Sequence, residues 1–365
     1  MEQFKNFTIL FQVVPKMALF TTNGMKMVGI AAAVPKEKES NLDYERITEA
    51  ERKLHIKTTG ICFRHIAPAG LTTSDLCQFA SEKLIADLQW DKNEIDLLIF
   101  VSQSPDHFLP ATSVLLQHKL GLSKTTAAFD IMLGCSGYVY GLSVISSLIA
   151  SGGFKKALLL TGDISTHGIS RTDKSTWPLF GDAGTATAME YDAISKTHFN
   201  LQSDGSGANA IIIPDGGLRH PISEKTFVTE EVEKGVIRHR RNLWLNGLDV
   251  FNFSVREAPI NINTLMQFAH CTQDEIDYFI FHQANLLMDE TIRKKLKIPA
   301  EKVPYSLYDF GNTSSASIPL TIVSQLKNQT QKPTKLLLSG FGVGLSWGSA
   351  IFETENICCP EILYI

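Results

Sequence analysis

Three residues of this chain have side chains that could do chemistry: Cys135 as a nucleophile, His282 as a proton donor or acceptor, and Asn312 as a neutral hydrogen-bond donor. Cys135 lies in Leu133-Gly134-Cys135-Ser136-Gly137, after a strand-like run at 127–133 and before an apolar, small-residue helix pattern over 138–152 that Gly152 and Gly153 stop. Glycines on either side allow a sharp turn and keep side chains away from a substrate. A thiol at a helix N-terminus meets free N–H groups and the positive end of the helix dipole, which favours its thiolate. Its own N–H is placed to serve as an oxyanion donor. A free cysteine is more often an inert core residue, so this setting alone leaves both roles open. Cys62, Cys77, Cys271, Cys358 and Cys359 have no such setting and read as structural. His282, in Phe281-His282-Gln283-Ala284-Asn285, ends a buried-strand pattern, where catalytic groups gather in α/β folds. Asn312, in Gly311-Asn312-Thr313-Ser314-Ser315, would by itself be an ordinary turn or cap residue.

An internal duplication brings two of these, Cys135 and Asn312, into register. Glu94–Phe100 (EIDLLIF) matches Glu275–Phe281 (EIDYFIF), each an apolar run after an acidic turn, as a strand covered on both faces would be. Lys119–Leu122 resembles Lys295–Ile298, and Lys156–Gly162 resembles Lys335–Gly340, in the same order and at nearly the same offset. Two halves of one fold then place Cys135 and Asn312 on equivalent turns facing each other across a pseudo-twofold axis. Helical spacing over 73–89, with Thr73 or Ser74 as N-cap, and the helix after Cys135 alternate with the strands, giving an α/β class with layered architecture. The boundaries read as an extension over 1–26, halves over 27–196 and 197–356, and a tail over 357–365. Met25 or Met27 opens the first strand, KMVGIAAAVP, and residues 197–245 read as loops and strands around several glycines.

Bulk composition excludes other classes. The chain has 365 residues and a net charge of −4, so nothing points to nucleic acid. Six irregularly spaced cysteines in a chain this long do not make a disulfide scaffold, and without a C-x-x-C pair no metal site is expected. The apolar stretch at 7–20 is interrupted by Gln12, Pro15 and Lys16. It is too short to span a bilayer and lacks a signal-cleavage pattern, so a cytoplasmic protein is expected.

Two short motifs mislead. Gly344-Leu345-Ser346-Trp347-Gly348 has the G-x-S-x-G form of a hydrolase nucleophile elbow, but no Asp or His follows Ser346. The glycines of Gly340-Phe341-Gly342-Val343-Gly344 suggest a dinucleotide loop, yet a strand-like run follows where a helix should open, so NAD binding is not expected.

Taken together, GCSG at 134–137, HQAN at 282–285, GNTSSAS at 311–317 and GFGVGLSWGSA at 340–350 resemble the type III 3-oxoacyl-(acyl carrier protein) synthases. TTGICFRHIA at 58–67 and FGDAGTA at 180–186 extend the likeness over about Met27 to Glu353. The resemblance implies a thiolase fold: two duplicated βαβαβαββ halves in a five-layered α-β-α-β-α arrangement, forming a homodimer. It also implies a ping-pong decarboxylative condensation without a cofactor. Cys135 would carry the acyl group, and His282 and Asn312 would hold the enolate of a malonyl group borne by acyl carrier protein. The N–H groups of Cys135 and Val343 would form the oxyanion hole. Phe341, Gly342, Gly344 and Leu109 would line the substrate pocket, Leu109 reaching toward the partner subunit. Arg293, Lys294, Lys295 and Lys297 form a positive cluster on a predicted helix, open to carrier docking or to a merely solvated face.

The departures bear on the acyl donor. Where fatty-acid-initiating members carry Trp and Arg that stack on the adenine of coenzyme A, this chain has Leu54 and Thr58, and a further Arg is replaced by Lys174. An Arg associated with carrier docking is replaced by Leu287. Acyl carrier protein therefore stands beside acyl-CoA as a candidate donor, in fatty acid synthesis or in a specialised lipid or polyketide pathway. Two other readings stay open within the same fold: transfer of the Cys135 acyl group to an alcohol or amine, and an inactive partner subunit of a synthase.

Overall fold

The computed structural model describes residues 18–365; most of the 7–20 stretch lies outside them. One sheet of nine strands runs through the molecule. In chain order they are β1 (Ala18–Val34), β2 (Leu97–Val101), β3 (Ala127–Ile131), β4 (Lys156–Asp163), β5 (Ala183–Ser203), β6 (Tyr278–Phe281), β7 (Thr334–Gly342), β8 (Ser346–Thr354) and β9 (Leu363–Tyr364). The helices that matter are α1 (Glu49–Thr59), α2 (Thr73–Asp87), α3 (Thr112–Lys119), α4 (Gly137–Ala150), α5 (Gly247–Phe268), α6 (Leu286–Leu296), α7 (Leu307–Phe310) and α8 (Ser317–Gln325).

The long strands β1 and β5 pair antiparallel over almost their whole length, from Ala18↔Leu201 to Ala33↔Gly184. Register shifts at Asn23/Gly24 and Met27/Gly29 break this ribbon into three stretches. The first part of β5 pairs with β4, which lies parallel to β2, itself parallel to β3. The last part of β5 pairs with β8, then β7 and β6. The expected duplication is thus visible as topology: β2 with β4 repeats as β6 with β7, and the matched sequences Leu97–Phe100 and Tyr278–Phe281 occupy equivalent strands. Every residue of β2 is buried, as a strand covered on both faces requires. The second half departs from the first where β3 would recur, since residues 303–306 lead into the short α7 instead of a strand.

Three apolar clusters define the layers. Tyr138, Leu142 and Ile145 of α4 and Ile318 and Ile322 of α8 pack between strands of both halves. Leu76 and Leu84 of α2 and Leu116 of α3 cover the outer face of the first half. Ile262 and Leu265 of α5 and Ile292 of α6 cover that of the second. Each fully buried side chain of this size contributes about 1.5–3 kcal/mol. The succession is α, β, α, β, α, with the helices that follow Cys135 and Asn312 in the middle.

Three boundaries differ from expectation. β1 starts at Ala18, and residues 18–23 pair with 196–201. Residues 18–26 therefore belong to the fold rather than to an extension, because the second half needs them as an edge strand. The 196/197 boundary falls inside the unbroken β5. Residues 357–365 run beside β1, with Ile357 buried and Leu363 paired to Ala33, so they are a sheet edge rather than a loose tail. The N-cap of α2 is Thr72, one residue before the expected Thr73 or Ser74, because Asp75 completes a capping box with it.

Candidate active site

Cys135, His282 and Asn312 meet in one cavity of about 1030 Å³, together with Phe341, Gly342 and Val343. Cys135 stands two residues before α4, at the turn that Gly134 and Gly137 permit. Its sulfur accepts from the N–H groups of Val343 and Cys135, the two donors expected to form an oxyanion hole. Gly342 makes this approach feasible: a Cβ there would lie 2.7 Å from the Cys135 sulfur. Burial nevertheless dominates, pushing the thiol up to about 11. The favoured thiolate expected from the helix N-terminus is therefore not what this site holds at rest.

His282 follows β6 and is buried. Its Nδ1 lies 2.7 Å from the Ser317 hydroxyl, and Phe341 meets its ring edge-on at 5.7 Å between centroids. Burial lowers its ionisation to about 3, with only the Ser314 backbone pulling the other way. The ring is neutral at pH 7; the tautomer in which Ser317 donates to Nδ1 carries its proton on Nε2. Asn312 is pinned from both sides. Its N–H donates to Leu179 at 2.9 Å, and its carbonyl accepts from Gly181 at 3.1 Å. The Ser314 N–H donates to its side-chain oxygen at 2.9 Å, which leaves the NH₂ group as the end free to donate elsewhere. The FGDAGTA segment thus holds the asparagine, while Asp182 behind it accepts from Ala67 and Thr166.

Other expected positions divide. Phe341, Gly342 and Val343 line the cavity, whereas Leu109 and Gly344 do not. Leu109 is 86% exposed, and its neighbour Phe108 lines the cavity instead. In the basic cluster, Arg293 is bound to Glu290 through two bonds of 2.7 and 2.8 Å, and Lys295 donates to the Val255 carbonyl. Lys294 reaches Glu290 more loosely at 3.5 Å, and Lys297, which caps α6, is exposed. Lys174 is tied to Glu51 at 3.0 Å, and Leu54 and Leu287 are exposed. The misleading motifs resolve as well. Ser346 is buried, bonded to Ser136 and to the Val343 carbonyl, and 340–350 is a hairpin of β7 and β8 with no helix. Ser314, Ser317 and Asp163 were not singled out in the sequence; the run of hydroxyls after Asn312 and an acid ending a buried strand were the available signals.

Among the described residues no helix is long and apolar enough to cross a membrane. Sequence models of one family match both halves: 3-oxoacyl-[acyl-carrier-protein] synthase III over residues 129–205, and its C-terminal part over 266–354. A beta-ketoacyl-[acyl-carrier-protein] synthase III of Roseiflexus sp. is 34% identical over 91% of this chain and 98% of its own length. One of Lactococcus lactis is 31% identical over 90% and 98%. The crystal structure of a 3-oxoacyl-(acyl-carrier protein) synthase from Burkholderia xenovorans superposes with a TM-score of 0.90 at 38% identity, covering 96% of this chain and 99% of that one. With the duplicated five-layered fold, these likenesses leave one conclusion: the chain belongs to the 3-oxoacyl-[acyl-carrier-protein] synthase III family of condensing enzymes.

Proposed function

We propose that this chain joins an acyl primer held on Cys135 to a malonyl group carried by acyl carrier protein, releasing CO₂. The observation that carries this reading is the convergence of a thiol, a neutral imidazole and a clamped carboxamide on one cavity. The Cys135 sulfur attacks the primer thioester, and the Val343 and Cys135 N–H groups receive the oxyanion. The donor C–S bond breaks, the departing sulfur takes up the thiol proton, and an acyl-cysteine remains. The malonyl thioester carbonyl then accepts from Asn312 and from Nε2 of His282. As the bond to the carboxylate breaks, its electron pair passes into the enolate, and CO₂ leaves past the apolar face of Phe341. The enolate carbon attacks the acyl-cysteine, the C–S bond breaks, and Cys135 recovers its proton from water. A neutral histidine suits this role, because it donates without changing charge.

Carrier-bound primer fits better than acyl-CoA, because Lys174 is spent on Glu51 and Leu54 offers no stacking surface. Phe108, Leu109 and Met132, each at least 70% exposed, would be covered by a second copy in a homodimer. Intact-protein mass spectrometry with a panel of acyl-CoAs and acyl carrier proteins tests the reading. Cys135→Ala should take up no acyl group. His282→Ala and Asn312→Ala should load normally yet release CO₂ from malonyl carrier protein at least a hundredfold more slowly. An acyl adduct that persists in the wild type on adding malonyl carrier protein would favour transfer to another acceptor instead.

A further inference from the structure

We infer that Asp163 is a positioning residue, a buried carboxylate of the cysteine-bearing half that holds the Ser314–Ser315 turn in the orientation that aims Asn312 and His282. This rests on the reading of those two residues as the enolate's donors.

Asp163 ends β4 and is buried, and it lines the cavity. One carboxylate oxygen accepts from the Gln103 N–H at 2.7 Å and from the Ser102 hydroxyl at 3.1 Å, both in its own half. The other crosses to the second half, accepting from the Ser315 hydroxyl at 2.8 Å and the Ser315 N–H at 3.2 Å. The Ser314 hydroxyl lies near enough to favour its ionised form as well. Ser314 is the joint between this strut and the reacting groups. It has a left-handed backbone, φ 51°, which a residue with a Cβ seldom adopts unless its surroundings impose it. That conformation turns its N–H onto the Asn312 oxygen and sets its backbone beside His282. Its hydroxyl lies near enough to the Cys135 thiol to favour the thiolate. A single serine thus sits among all three reacting side chains, and its neighbour Ser315 is held by a carboxylate from the opposite half.

The carboxylate has a second effect that separates this role from simple scaffolding. Burial pushes the Asp163 carboxyl up and the Gln103 and Ser315 donors pull it down; in its ionised form it opposes ionisation of Cys135, adding to burial, while the Val343 N–H and the Ser314 hydroxyl pull the other way. Among the other charged groups of the cavity, Asp215 is paired with Arg240, and Asp106 and Arg241 line the same wall system. Replacing Asp163 with a neutral isostere should therefore move two readouts in opposite directions. In Asp163→Asn, an amide NH₂ faces a backbone N–H, the turn loosens, and CO₂ release from malonyl carrier protein should fall about tenfold or more. Alkylation of Cys135 by iodoacetamide at pH 8 should rise about threefold, because the opposing charge is gone. Ser315→Ala keeps the charge and removes one bond, so CO₂ release should fall severalfold while alkylation stays as in the wild type. Decarboxylation within twofold of wild type in both variants would overturn the inference. So would a fall of both readouts together in a folded Asp163→Asn protein, which would mark the residue as scaffolding only. If Asp163→Asn does not fold, Ser315→Ala decides alone: unchanged CO₂ release overturns the role. Asn312→Ala separates the two levels, since retained decarboxylation there would remove the underlying reading itself.

Discussion

At pH 7 a thiol whose ionisation is pushed up to about 11 is almost wholly protonated, and a histidine lowered to about 3 is almost wholly neutral. Both effects have the same origin, removal of the charged form from water. For the histidine this fits the proposed work, since a permanent neutral donor is wanted. For the cysteine it means that nucleophilicity must appear as the substrate arrives, when N–H donors at the sulfur take up developing charge. The expected consequence is a rate of Cys135 alkylation in the free enzyme that climbs across pH 7 to 10 without levelling. A profile that is flat above pH 7 would show a thiolate already present. Cys135, His282 and Asn312, which the structure brings to one cavity, could be located in the sequence because each sits at a strand end or turn, although Asn312 stood out only through the family resemblance. Ser314 and Asp163 could not. Their importance lies in a left-handed backbone and in bonds spanning 152 residues, neither of which leaves a local signature.

Among the elements, α6 carries a test of electrostatics away from the chemistry. Glu290 accepts from Arg293 and from the Tyr305 hydroxyl, and the Arg293 bond leads in holding its carboxyl down at about 2. A carboxylate lowered on folding stabilises the protein above its ordinary value near 4.5, and that contribution is lost as pH falls toward 2. Discounted for partial contact with water, it is worth about 1–2 kcal/mol. Glu290→Gln should therefore be less stable than wild type in urea at pH 7, and the gap should narrow below pH 4.5 and close only as pH falls below about 2. A gap independent of pH would assign the loss to packing instead. The same ion pair explains why a basic run read from sequence overstates the charge available for docking: Arg293 and Lys295 are spent within the molecule, a matter of side-chain direction that spacing does not reveal.

For the whole molecule, the repeated strands could be read because both copies are doubly covered and so nearly uniformly apolar. The first strand could be read only from Met25 onward. Its opening segment ALFTTNG pairs with residues some 180 positions away and carries no strong alternation to announce it. Deleting residues 1–24 should accordingly remove the edge of the second half's sheet and give an insoluble or markedly less heat-stable protein. A truncated chain with unchanged thermal unfolding would show that edge to be dispensable.

The ribbon of β1 and β5 also sets a timetable for synthesis. Residues 18–34 leave the ribosome first among the described strands, yet the chain they pair with, residues 183–201, follows about 150 residues later. At roughly 5–20 residues per second, a strand with two methionines and four alanines waits on the order of 10–30 s with both edges bare. Neither half can close its sheet alone during that interval, so the nascent chain has to be kept from pairing with its neighbours until β5 emerges.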